Sequence, residues 1–305
     1  MQQHIPNEEV KSGTRIDDFT IAYLIGHGMN ADVFAVWHHT LRTPLVCKRL
    51  RPQDADDRKW RRLLRAEGVA LAHLNHPGIV RLIAQNQKAH LPYLLLEHVG
   101  SSTLRDALLD RGRFAIDEAV RIVQHTGAAV AYAHAQGFLH RDLKPSNIVL
   151  RDHGRPVLLD FGVAWRWRTK RQPSDFSGTP QYLAPEQIRR ERLTSVTDVY
   201  GLGILLFELL TGKRPFRAGA DRHDRALLLA ARYPQLAEAP FTLRESGCAQ
   251  APRKLEQIIA RCLARDAHDR FSSVEELLLA LDRFTPLKVW PRNVARRCKD
   301  FSPFV

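Results

Sequence analysis

The residues of this 305-residue chain that first suggest chemistry are two glycines, a lysine and a glutamate. In Gly26-His27-Gly28-Met29-Asn30-Ala31-Asp32-Val33 the glycines carry no Cβ, so backbone N–H groups there can come close to a phosphate. The same segment also fits a plain hairpin turn. It is not a dinucleotide fingerprint, because a strand and not a helix is expected after it. Lys48 closes the next expected strand, and an inward ammonium needs an anion. Glu67 offers the carboxylate, and the pair would hold the ammonium over phosphates. The alternative is two solvated surface charges.

Positioning these residues takes a sheet and a helix. Phe19, Ile21 and Tyr23 alternate, as do Phe34 and Val36, and Leu45-Val46-Cys47 is an apolar run after Pro44, so this part reads as strands. Over 54–75 the apolar residues Leu63, Leu64, Val69, Leu71 and Leu74 recur mostly three or four apart, which predicts a helix with one face on the sheet. Strands over 81–87 and 91–97 follow, joined by the polar turn Lys88-Ala89-His90. After Gly100 the pattern becomes helical. Helices are expected over 102–110, 117–136 and 198–210, stopped by Gly112, Gly137 and Gly212, and over 255–264. Ser272 or Ser273, with Glu275 and Glu276, starts a last helix with a capping box. A strand-rich front and a larger helical back suggest two lobes with a cleft for a ligand, and at about 150 residues per domain the length agrees. Residues 1–15 and 286–305 read as tails, the second basic through Arg292, Arg296, Arg297 and Lys299.

Composition narrows the class. Hydrophobic residues at 44% and charged residues at 26% are ordinary globular usage, which excludes a disordered or fibrous chain. The net charge of +13 keeps polyanions in view as partners. Cys47, Cys248, Cys262 and Cys298 stand far apart with no Cys-x-x-Cys pair, which disfavours a zinc ribbon and a disulfide framework and fits a reducing cytoplasm. His38, His39, His73 and His76 lack companions at ligand spacing, so no structural metal is assigned. The apolar stretch 202–207 stops at Glu208, well short of a bilayer span, and residues 1–15 hold no signal-like apolar segment. No membrane association is expected.

The most informative segment is His140-Arg141-Asp142-Leu143-Lys144-Pro145-Ser146-Asn147-Ile148-Val149-Leu150, with Asp160-Phe161-Gly162 after it. Taken with Gly26-x-Gly28, Lys48, Glu67 and Ala184-Pro185-Glu186, in this order, it resembles the eukaryotic-type (Hanks-type) protein serine/threonine kinase family, in its bacterial branch. The resemblance runs from about Phe19 to Phe284. It implies an α+β, two-lobed protein kinase fold over 16–285. The N-lobe, to about 97, would be a five-stranded antiparallel sheet plus one helix; a hinge at 97–100 leads to a mainly helical C-lobe over 101–285.

The resemblance also implies roles. ATP and Mg²⁺ are the expected cofactors, and a protein with a serine or threonine acceptor is the expected substrate. Asp142 would orient the acceptor hydroxyl and take its proton, and Lys144 would contact the transferring phosphate. Asn147 and Asp160 would hold Mg²⁺, a hard cation that prefers oxygen ligands. Adenine would sit between Val33, Val46 and Val149, with the backbone of Glu97 and Val99 at its edge and Leu96 as gatekeeper. Gly178-Thr179-Pro180-Gln181-Tyr182 resembles the platform for the residue after the acceptor, with Thr179 near Asp142 and Lys144. Leu71, Leu82, His140 and Phe161 fit the family's aligned stack, and Arg270 would pair with Glu186. Two departures are mild: Ala31 replaces the third glycine of the loop, and Val46 replaces a smaller residue.

In this family Arg141 pairs with a phosphate on the activation loop, here 163–183, so autophosphorylation at Thr169, Ser174 or Ser177 is expected, through a transient dimer if it occurs in trans. Trp165-Arg166-Trp167-Arg168-Thr169-Lys170-Arg171 could stack on nucleobases, but a solvated loop is the plainer reading and nucleic acid is not taken as a partner. Arg58-Lys59-Trp60-Arg61-Arg62 is either a solvated helix face or a pocket for a phosphorylated loop. A silent scaffold is disfavoured because Lys48, Asp142 and Asp160 are all present, and a small-molecule kinase because 178–186 carries the platform and Ala-Pro-Glu.

Overall fold

The computed structural model describes residues 11–151, 154–166, 178–219 and 229–285. These fall into two compact units, 11–75 with 80–101 and 76–79 with 102–285.

In the first unit, period-two alternation sorts the residues of one sheet onto two faces. Strands β1 (Arg15–Ile16), β2 (Phe19–His27), β3 (Ala31–His38), β4 (Thr43–Leu50), β5 (Leu82–Asn86) and β6 (Tyr93–Glu97) pair antiparallel in the order β1-β2-β3-β4-β6-β5. Phe19, Ile21, Phe34, Val36, Leu45, Cys47, Tyr93 and Leu95 form a buried core on one face. Phe19 meets Tyr93 edge-on at 5.2 Å between ring centroids. The opposite face carries Val33, Val46, Lys48, Leu94 and Leu96, locked in register by the partners Val33–Lys48, Lys48–Leu94 and Val46–Leu96.

The sheet thus has six strands where the sequence predicts five. The sixth, β1, lies partly in the stretch read as a tail: Arg15 and Ile16 fold back on Thr20 and Phe19 around Asp17, a non-glycine residue with φ +46°. Two residues are too few to show alternation, so β1 leaves no signal in the sequence. Ile16 packs against the buried core, which gives the strand its reason to form.

Helix α1 (Arg58–His73) starts later than predicted, because Pro52–Asp54 makes a separate 3₁₀ turn and Asp57 caps the helix by accepting from the Lys59 amide at 2.7 Å. α1 contacts β4, β5 and β6, and Gly68 is what lets it lie close. A Cβ at Gly68 would meet Leu94 Cδ2 at 3.0 Å and collide with the Gln85 side chain. Glycine inside a helix costs about 1 kcal/mol relative to alanine, so its presence here is explained by packing and not by propensity.

The second unit is built around α5 (Ser195–Thr211), on which every residue from Thr197 to Thr211 is buried. A helix apolar on all sides belongs in the middle of a core. It ends at Gly212, φ +70°, where a side chain would also strike the Gly112 carbonyl. The other elements are α2 (Leu104–Arg111), α3 (Ile116–Ala135), β7 (Phe138–Leu139), β8 (Ile148–Leu150), β9 (Pro156–Leu158), β10 (Trp165–Arg166), α4 (Pro185–Arg189), α6 (Leu229–Arg232), α7 (Arg253–Cys262) and α8 (Val274–Leu281). α3 packs on α5 and α8, α7 packs on α5, and the short antiparallel pairs β8–β9 and β7–β10 edge the loops that carry 140–147 and 159–166. α8 has the predicted cap: Ser273 accepts from the Glu276 amide, and Glu276 reaches back to the Ser272 amide at 2.7 Å. Among the described residues no helix is long and apolar enough to cross a membrane.

Candidate active site

Each unit carries its own cluster of the residues singled out by sequence. In the first, Lys48 Nζ donates to both carboxylate oxygens of Glu67, at 2.9 and 2.8 Å. Glu67 is 2% exposed and Lys48 17%, so this is an enclosed ion pair and not two solvated charges. β4 supplies the lysine and α1 the glutamate, and Gly68 sets the spacing between them. Cys47, one residue away, points to the core, and burial pushes its thiol up to about 12, which makes it a packing residue with little thiolate.

Gly26 ends the paired part of β2 opposite Val33, and the Gly28 amide donates to Ala31 O at 2.8 Å, closing the turn. A Cβ at Gly28 would lie 3.0 Å from the same carbonyl, so the tight turn selects glycine there. Arg51 is the latch that sequence reasoning missed: it donates to Asp32 at 3.0 Å and to the Gly28 carbonyl. Val33 and Val46 are half-buried on the Lys48 face, and Leu96 and Val99 are buried. The Glu97 amide donates to Arg81 O at 3.0 Å, and the Glu97 side chain accepts from the Arg81 amide at 2.9 Å.

In the second unit the hydrogen bonds converge on Asp142, which is 7% exposed. Its carboxylate accepts from Lys144 Nζ at 2.7 Å, from the Thr179 amide at 2.8 Å and from Asn147 Nδ2 at 3.1 Å. Lys144 also donates to the Thr179 hydroxyl. Asn147 bonds the Asp142 carbonyl at 2.9 Å as well, so its amide nitrogen is committed to Asp142 and its amide oxygen is the atom it can offer a cation. Val149 lies on β8, 3% exposed, bridged to Thr103.

Beneath this cluster Asp198 of α5 fixes the backbone. Its two oxygens accept from the amides of His140 and Arg141, each at 2.8 Å, and from His134 at 2.7 Å. Burial alone would raise this carboxyl, but the hydrogen bonds from His134 and the Arg141 amide together hold it below its ordinary value. Arg141 sits at φ +71° and Asp160 at φ +53°, conformations that cost about 1–3 kcal/mol each and persist only where surroundings over-determine them. For Arg141 that is visible: Asp198 holds its amide and Gln187 donates to its carbonyl at 3.0 Å.

His140 is fully buried, stacked edge-on against Phe161 at 4.8 Å, with Nε2 donating to Leu159 O and Nδ1 accepting from the Asp142 amide. Both ring nitrogens are engaged, so it is a packed, positioning histidine. Arg141 donates to Val163 O at 3.0 Å, and the Gly162 amide donates to Asp160 at 3.2 Å. Arg270 and Glu186 form a buried two-bond ion pair at 2.8 and 2.9 Å.

His134, Gln187, Gln235 and the linking of Tyr182 to Arg105 through Glu208 were not picked out by sequence. Glu208 accepts from Tyr182 at 2.8 Å and Arg105 at 2.9 Å; burial raises the carboxyl of Glu208 and the phenol of Tyr182. Polar residues within apolar helical stripes, such as His134 and Glu208, were the available signal. Thr169, Ser174 and Ser177, the basic run from Trp167 onward and the tail 286–305 lie outside the described residues.

The model of the protein kinase domain matches residues 19–280. Serine/threonine-protein kinase PrkC of Bacillus subtilis is 32% identical over 268 residues, covering 87% of this chain and 40% of that protein. Serine/threonine-protein kinase PknB of Mycolicibacterium smegmatis is 30% identical over 275 residues, covering 88% of this chain and 43% of that protein. The chain therefore spans about two fifths of the length of these curated relatives. The solved kinase domain of Mycobacterium tuberculosis PknI superimposes with a TM-score of 0.70 at 26% identity, covering 90% of this chain and 98% of that one. With matching motifs, matching fold and a family match over most of its length, the chain belongs to the protein kinase domain family.

Proposed function

We propose that this chain transfers the γ-phosphate of ATP to serine and threonine hydroxyls of protein substrates. The observation that carries the reading is the Asp142 carboxylate, held at once by Lys144, the Thr179 amide and Asn147. A carboxylate so fixed can accept a hydrogen bond from an acceptor hydroxyl, aim its oxygen and take its proton as the new O–P bond forms and the bond to the ADP oxygen breaks. Lys144 neutralises charge on the transferring group. Thr179, bonded to both, ties this chemistry to the platform 178–182, which receives the substrate residue after the acceptor.

The residues present suit the nucleotide and its metal. Lys48, kept cationic and aimed by Glu67, serves the phosphates, and the Gly26–Gly28 turn lets backbone approach them. Val33, Val46 and Leu96 offer apolar surface to adenine, with the backbone of Glu97 and Val99 at its edge. Asn147 and Asp160 present oxygen donors, the set that Mg²⁺ takes alongside phosphates and water. When bound, Mg²⁺ neutralises phosphate charge and holds the phosphates for in-line transfer.

Activation by autophosphorylation at Thr169, Ser174 or Ser177, through a transient dimer, belongs to the same reading, as does work in the cytoplasm. The test is intact-mass spectrometry before and after Mg-ATP with a generic protein substrate, with Asp142→Asn as control. Phosphate added by wild type alone supports the reading; no transfer by wild type with ATP bound overturns it. Peptide mapping that finds none of the three loop residues modified removes the autophosphorylation part.

A further inference from the structure

We propose that Arg51 is a positioning residue for nucleotide phosphates: gripping the glycine turn from the face away from Lys48, it aims the Met29 amide at them. The inference rests on the ATP-dependent reading above and names how that site presents its backbone to phosphate.

The turn 28–30 joins β2 to β3, and one arginine, just past the end of β4, holds both sides of its tip. The Arg51 guanidinium donates to the Gly28 carbonyl, and the Arg51 amide donates to the Asn30 carbonyl at 3.2 Å. Asp32 fixes the guanidinium by accepting from Nε at 3.0 Å, and the same carboxylate oxygen accepts from His27 Nδ1 at 2.8 Å. The Arg51 and Asp32 side chains are 22% and 20% exposed, so the pair is better sheltered than one on the open surface. Met29, between the two held carbonyls, is 79% exposed. Its side chain packs on little, so hydrogen bonds and not packing set the shape of the tip.

Alternation decides which face the grip comes from. Val33 and Lys48 are cross-strand partners on one face, so the adjacent pair, Asp32 and Arg49, points to the other. Arg49 agrees with this by lying over the ring of Phe34, a member of the buried core, at 5.5 Å. The guanidinium that bonds Asp32 therefore stands on the core face, and the Gly28 carbonyl turns towards it. The peptide between Gly28 and Met29 is trans, which places its C=O and N–H on opposite sides. The Met29 N–H is thereby directed to the Lys48 face, and it has no acceptor among the described residues. A backbone N–H with no internal acceptor, on the face that carries an ammonium, suits a phosphate oxygen.

The test is calorimetric titration of the full chain with Mg-ATP and with adenosine, which has no phosphates. Arg51→Ala should weaken Mg-ATP binding about tenfold and leave adenosine within about twofold, because only a phosphate contact is lost. Arg51→Lys should lose nearly as much, since an ammonium keeps the charge but not the fork that spans Asp32 and the Gly28 carbonyl. Asp32→Asn supplies the sign that separates aim from charge. Removing a carboxylate near phosphates would tighten Mg-ATP through the field alone, whereas loosening the grip should weaken it about three- to fivefold. In turnover, KM for ATP should rise in all three variants while KM for the protein substrate stays put.

Mg-ATP bound as by wild type in any of the three variants, or more tightly in Asp32→Asn, overturns the proposal. Equal losses for adenosine and Mg-ATP would mean that the turn has come apart as a whole, and overturn it as well. If no protein is phosphorylated, the kinase reading fails, while the binding ratios still decide the grip. Wild type that does not prefer Mg-ATP to adenosine leaves no phosphate contact to aim and also overturns it. Should Arg51→Ala melt early, Asp32→Asn, which keeps the side-chain shape, carries the test.

Discussion

The two units fix their functional side chains in opposite ways. In the first, Lys48 is aimed by one carboxylate, Glu67, which stands on a separate helix, so the geometry depends on where α1 lies. In the second, Asp142 is bonded from three sides, and the chain before it is anchored by Asp198 and Gln187. A group aimed by a partner on a separate helix shifts when that helix moves. A group held by many is preorganised, and its position costs nothing at the moment of reaction. The first cluster is thus the adjustable half of the machinery and the second the fixed half.

The largest expected effect tests the fixed half. Asp142→Asn keeps the size of the side chain but removes the base, and should lower kcat about 10²–10⁴-fold while leaving ATP affinity nearly unchanged. A kcat within threefold of wild type would remove Asp142 from the chemistry. Next comes Asp198→Asn. An amide can accept from one backbone N–H but presents its own N–H₂ to another, leaving a buried donor unpaired, so about 1–3 kcal/mol of stability should go. Denaturant titration of the two proteins measures it. Asp198 also has a pH signature. Its folded-state pKa lies below its ordinary 3.8, so its stabilisation is complete above that value and is lost as pH falls through it towards the folded pKa. In Asp198→Asn that part of the acid limb should flatten; an unchanged limb would show that Asp198 is not the linked group.

How much of this was legible in the sequence differs between the same two regions. Alternation in Phe19–Tyr23 and Phe34–Val36 revealed the strands of the first unit, and capping residues and glycines such as Gly212 and Ser273 marked helix ends in the second. Asp142, Lys144, Asn147 and Thr179 were legible because they stand close together or in recognisable motifs, and they do meet. What sequence could not give were contacts set by long-range packing. Gln235 reaches Pro180 and Glu208 reaches Tyr182 across stretches of chain with no local pattern, and β1 is too short to alternate. His134 stands out in the sequence only as a polar residue in the apolar stripe of α3, and its bond to Asp198 is set by packing across 64 residues of chain.

For the adjustable half the expected effects are smaller. Glu67→Gln keeps shape and a hydrogen bond but removes the charge opposite Lys48, so KM for ATP should rise about tenfold, near 1.4 kcal/mol, with kcat falling less. Equal losses in kcat and kcat/KM would place the pair in transition-state stabilisation instead.

The smallest effect is the most discriminating. Gly68→Ala sets two terms against each other: alanine favours the helix by about 1 kcal/mol, and its methyl presses on Leu94 Cδ2 and Gln85. Gln85 is a flexible side chain and can swing aside, whereas Leu94 is fully buried, so α1 must back away by a few tenths of an ångström. The terms nearly cancel in stability, and the expected change is within about 0.5 kcal/mol. The displacement is passed to Glu67, one residue earlier, and through it to Lys48, so KM for ATP should still rise about two- to threefold, roughly 0.4–0.7 kcal/mol. A variant that gains the full helix propensity with KM unmoved would show that the Lys48–Glu67 pair tolerates displacement of α1, and the contrast between an adjustable and a fixed half would no longer hold.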